Sequence, residues 1–120
     1  MIGLLVAEYI LGMINNLFVH FPEGGTEVQM WEFAWRQFSI SSHIILGIIL
    51  LLAGLLVVIR AIQNGNQSGI IFSGIGFIAV LLAGFSGSRF IPTQQDLYSL
   101  SMSIAFLIAL LCYVGGICQY

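Results

Sequence analysis

From Phe38 to Ile62 the chain holds a single charged side chain, Arg60, in a run otherwise made of Ile, Leu, Val, Ala, Gly, Ser and Phe with one histidine, His43. An apolar run of that length can cross the ~30 Å of bilayer hydrocarbon as a helix, which needs roughly 20 residues. In lipid the backbone finds no water to bond, so such a segment must satisfy its own N–H and C=O groups as an α-helix. Three more runs have the same character, giving spans at about 2–20, 38–62, 70–90 and 95–118. None alternates apolar and polar residues in the ten-residue segments of an outer-membrane barrel. The spacing predicts an all-α integral membrane protein, a four-transmembrane-helix bundle forming one domain over residues 1–120.

Composition supports that solvent. Only 7% of residues are charged and 59% are hydrophobic, with a mean hydropathy of +1.05. A soluble domain dresses its surface with about a quarter charged residues. Three arginines, five acids and no lysine offer no basic patch for a phosphate backbone, so nucleic acid is not an expected partner. The first run has no basic stretch ahead of it and is interrupted by Glu8, so it reads as a helix of the fold, not a signal peptide.

The connections differ in kind. "QNGNQSG" (63–69) is a short polar turn, and "IPTQQD" (91–96) is another, with Thr93 placed to cap the fourth span and Asp96 in its first turn. The first loop is longer. Thr26 and Gln29 form a capping-box pattern, after which Val28, Trp31, Trp35 and Phe38 recur on one face and Glu32 pairs with Arg36 on the other. This predicts a short amphipathic helix lying at the membrane interface with its tryptophans at headgroup level. Two arginines on one side oppose one arginine and the amino terminus on the other. The larger acidic loop suits the outer face and puts both termini on the cytoplasmic side, and abundant isoleucine with no lysine fits a prokaryotic plasma membrane.

Ionisable groups inside spans are functional candidates by default. Span order brings His20, His43, Ser86, Arg89, Asp96 and Tyr98 to one end of the bundle. His43 shares a helical stripe with Gly47, Leu50 and Gly54, and Glu8 shares one with Gly12 and Asn15. Three readings of His43 stand side by side. Ser39, Ser42 or a backbone carbonyl could satisfy it as a brace; it could relay a proton; or His43 and His20 could ligate a b-type haem whose propionate meets Arg89. For Glu8 the plainer reading is a pair with Arg60 at the opposite face, and the sharper one is a proton-exchanging carboxylate. The stretch "LLVAEYILG", a glutamate in the first of four short spans, resembles the small multidrug-resistance transporters at that one position. The long first loop, the histidine and the later spans depart from that family, so membership is not implied.

Cys112 and Cys118 lie six apart on one helix and project in different directions, so no disulfide is expected between them. No triad, phosphate loop or metal-ligand motif points to an enzyme. Three function classes follow. The first is an accessory subunit of a larger membrane complex, energy-converting or otherwise, seated in lipid beside other subunits or copies of itself. The second is a haem protein for electrons or quinol, and the third a proton-coupled transporter using Glu8.

Overall fold

The computed structural model describes residues 1–118 and is entirely α-helical over them. Five helices follow in order: α1 (Ile2–Phe18), α2 (Glu27–Arg36), α3 (Phe38–Gln63), α4 (Gln67–Thr93) and α5 (Asp96–Ile117). α3, α4 and α5 are each long and apolar enough to cross a membrane. α1 has 17 residues, about 26 Å of helix, which is short of the hydrocarbon thickness.

The helix ends follow local chemistry. α2 starts at Thr26, whose hydroxyl accepts from the Gln29 N–H while the Gln29 side chain accepts from the Thr26 N–H, the reciprocal box expected from the sequence. Arg36 and Glu32 pair at 3.4 Å. A single non-helical residue, Gln37, separates α2 from α3. Asn66 caps α4 by accepting from the Gly69 N–H at 3.2 Å.

Two boundaries differ from the sequence reading. α4 does not stop at Phe90; it continues through Pro92, whose missing N–H removes one helical bond in the final turn, with Thr93 alone of the helix beyond it. Thr93 is therefore the final residue of α4 and donates to the Arg89 carbonyl at 2.6 Å, while α5 begins after Gln95 without a side-chain cap. Gln94 closes α4 in the left-handed region at φ 53°, and its side chain bonds the Phe90 and Ile91 carbonyls.

Two apolar clusters hold the helices together. Leu5 of α1, Leu50 of α3, Ala79 and Val80 of α4, and Ala109 and Tyr113 of α5 form the first. Met30 and Ala34 of α2 meet Ile40 and Ile91 in the second, with Phe21 tilted against Phe33 and edge-on to Phe90. α2 thus closes the end where α3 starts and α4 stops. α4 and α5 form the closest antiparallel pair. Gly76 lies under the Tyr113 ring, Gly87 meets Met102, and Gly115 and Gly116 meet Phe72, since small residues supply close approach where hydrophobic drive is weak. α1 packs on α3 and only sparsely on α5.

Candidate functional site

α1 and α3 run antiparallel, and their two polar stripes face each other. Asn15 Nδ2 donates to the Ser39 carbonyl at 3.3 Å. One turn deeper, a Cβ on Gly12 would lie 3.4 Å from His43 Cε1, and one on Gly47 would lie 3.2 Å from Glu8 Oε1. Deeper still, Met1 reaches Gly54. The pairing order is therefore Asn15 with Ser39, Gly12 with His43, Glu8 with Gly47, and Met1 with Gly54.

In that register Glu8 Oε1 sits 3.1 Å from His43 Nδ1. The glycine opposite each group gives it a recess. The distance is that of a hydrogen bond, yet Nδ1 makes no aligned bond to the oxygen. The contact is electrostatic in character, and its strength depends on which of the two groups carries the proton. Glu8 Oε2 and Asn15 Oδ1 are also buried without a partner among the described residues. An imidazole facing a carboxyl between apolar helices sets two ionisable groups side by side where such groups are rare.

Other candidates fall elsewhere. Glu8 does not pair with Arg60. Arg60 is exposed near the end of α3, thirteen residues beyond Gly47, or about 20 Å along the helix. His20 is exposed and lies beyond the end of α1. Six further residues of α1 separate the level of His43 from Phe18, about 9 Å at 1.5 Å per residue. The imidazole of His43 is turned into α1, close to the Gly12 backbone. The two histidines therefore do not face each other across one porphyrin, and these residues do not fit a haem held by both. Arg89 is exposed at the end of α4, and Tyr98 is half-buried in the first turn of α5. Ser86 is buried and bonds Ser101 across the α4–α5 interface at 3.0 Å. The end of the bundle where these groups were expected to converge is filled by the aromatic cluster under α2.

Sequence reasoning passed over Tyr113. Its ring is buried between Gly54 and Gly76, and its hydroxyl has no partner among the described residues. The spacing Ala105, Ala109, Tyr113 marks it as the continuation of the buried α5 stripe. Cys112 and Cys118 are free thiols. Comparison of the chain with protein-family models, curated proteins and solved structures found no match.

Proposed function

We propose that the chain is a four-span membrane protein, with α1 joining α3, α4 and α5 across the bilayer and α2 lying at headgroup level, and that it takes up and releases a proton at the Glu8–His43 pair as a proton-coupled transporter. The outer faces of the spans support residence in lipid, since Leu52, Leu56, Ile71, Ile78, Leu107 and Leu111 are all exposed. Val28, Trp35 and Phe38 point outward from the α2 end, opposite the buried Met30 and Ala34, as headgroup contacts would. The observation that carries the proton reading is the 3.1 Å approach of Glu8 to His43 within a helix interface. Ionisable groups placed there are costly and are retained for a task.

Infrared difference spectra between mildly acidic and mildly alkaline buffer test this. A carboxylic-acid stretch that appears on acidification, disappears in Glu8→Gln and shifts in His43→Gln is the expected result. A pair whose spectrum does not change with pH is a brace.

A second reading, an accessory subunit within a larger membrane assembly, is favoured by the seam between α1 and α5. There Val6, Tyr9, Ser103, Phe106, Leu107 and Leu110 line an open groove of about 300 Å³. The mass of the protein solubilised in a mild detergent and lipid tests it; a bare monomer argues against this reading.

A further inference from the structure

Among the described residues, four buried side-chain atoms lack a hydrogen-bond partner: Asn15 Oδ1, His43 Nδ1, Glu8 Oε2 and Tyr113 Oη. They are not scattered. Measured along α3 they fall at the levels of Ser39, His43, Gly47 and Gly54, a row of about 22 Å at 1.5 Å per residue. Buried polar atoms of this kind are normally satisfied by ordered water. The row is also broken at one place. Between Glu8 and the Tyr113 hydroxyl stand Leu5 and Leu50, 1% and 2% exposed. On the other side of Glu8 the row runs out towards α2. The His43 side chain keeps 22% of its surface exposed, and Asn15 and Ser39 are half-buried. The imidazole spans the step between turns of α1, with Nδ1 at Glu8 and Nε2 4.0 Å from the Gly12 Cβ position, on the turn nearer Asn15.

Resting on the proton reading above, we infer that the Glu8–His43 pair exchanges its proton with water from the α2 face only, through Asn15 and the Ser39 carbonyl, and that Leu5 and Leu50 seal it from the opposite face. The ligand of this route is water carrying a proton. A hydronium ion at the Asn15 level gives its proton to the pair and remains as water, and release runs the same step backwards; no electrons move. The other titratable groups near the route are few. α5 offers Tyr113 beyond the leucines and Cys112 beside it, and Tyr9 of α1 turns to Phe106. Glu27, Glu32 and Arg36 of α2 are exposed, and α4 turns Arg89 outward at its end.

The test follows Glu8 protonation by infrared after an external pH jump on protein reconstituted in vesicles in both orientations. Two phases are expected, the fast fraction matching the molecules whose tryptophans are quenched by external iodide, and a protonophore should merge the two. Asn15→Leu should slow the fast phase about tenfold, the factor expected when the water at this level loses one hydrogen bond, while Asn15→Ser keeps it. Leu50→Ser should let a protonophore-free vesicle respond in one phase. Circular dichroism confirms that each variant is folded. A single phase in the wild-type protein, or an unchanged rate in a folded Asn15→Leu, overturns the one-sided route while leaving the proton reading standing. A Glu8 band that never responds to pH overturns the proton reading itself.

Discussion

Glu8 Oε1 of α1 lies 3.1 Å from His43 Nδ1 of α3, each group opposite a glycine of the other helix. This contact joins an ionisable side chain of each helix across the α1–α3 interface, in the same register as the Asn15–Ser39 bond. Its energetic signature is coupling. In a double-mutant cycle of Glu8→Ala and His43→Ala, the two losses should fail to add by about 0.6 kcal/mol and at most about 1.7, the mean and maximum for polar contacts between membrane helices. Reversible unfolding in mixed micelles measures it; strictly additive losses would show that the two groups ignore each other.

The glycines opposite the pair should not be equivalent. A Cβ at Gly47 meets Glu8 Oε1 at 3.2 Å, tighter than ordinary contact, whereas at Gly12 the nearest atom is His43 Cε1 at 3.4 Å. Gly47→Ala should therefore displace the carboxylate and lower the melting temperature more than Gly12→Ala does. Equal melting temperatures in the two variants would contradict the recess drawn around Glu8.

Both stripes of this interface are legible in the sequence: Glu8, Gly12 and Asn15 repeat at helical spacing, and so do His43, Gly47, Leu50 and Gly54. What periodicity could not supply is the offset between them. α1 starts level with Gly54, some nine residues before the end of α3 at Gln63. Counting depth from a shared membrane face, as if α1 and α3 ended together, puts Glu8 near Arg60. The offset of about 14 Å moves it to His43 instead. The helices themselves, the capping box at Thr26 and the Glu32–Arg36 pair needed only local chemistry, and were readable for that reason. Thr93 misled because it precedes a helix start in sequence, while the preceding helix runs on through Pro92 to include it.

Tyr113 sets a sharp contrast between two neighbouring glycines of α4. At Gly76 a Cβ would lie 3.0 Å from the Tyr113 ring, while at Gly74 nothing lies within 4 Å. Gly76→Ala overfills the core and should cost about 1–3 kcal/mol. Gly74→Ala should be neutral or slightly stabilising, as Ala loses less backbone freedom than Gly. Unfolding of the two variants side by side checks this; a destabilised Gly74→Ala would mean that the outer face of α4 is covered by something in the membrane.

Ser86 and Ser101 join α4 to α5 by one hydroxyl pair at 3.0 Å. Ser86→Ala leaves Ser101, itself on the exposed side of α5, free to turn to its own backbone. The loss should be small, about 0.6 kcal/mol, and Ser86→Ala/Ser101→Ala should cost no more than the single change. A larger penalty for the double variant would mean that Ser101 has a second partner.

The position of α2 can be read from its tryptophans. The chain has two, Trp31 and Trp35. Trp31 packs against the second apolar cluster, whereas Trp35 is 51% exposed beside Val28, with Phe38 85% exposed just beyond. With Trp31→Phe, fluorescence reports Trp35 alone. An indole at headgroup level sits near the glycerol region, with its ring in the outer hydrocarbon. Lipids brominated close to the carbonyl end of their chains should therefore quench Trp35 more strongly than lipids brominated near the methyl end, and acrylamide added to the water should quench it only in part. Full quenching by acrylamide with none from either brominated lipid would put α2 in solution, and the exposed Val28, Trp35 and Phe38 would then have to meet a protein, not a membrane.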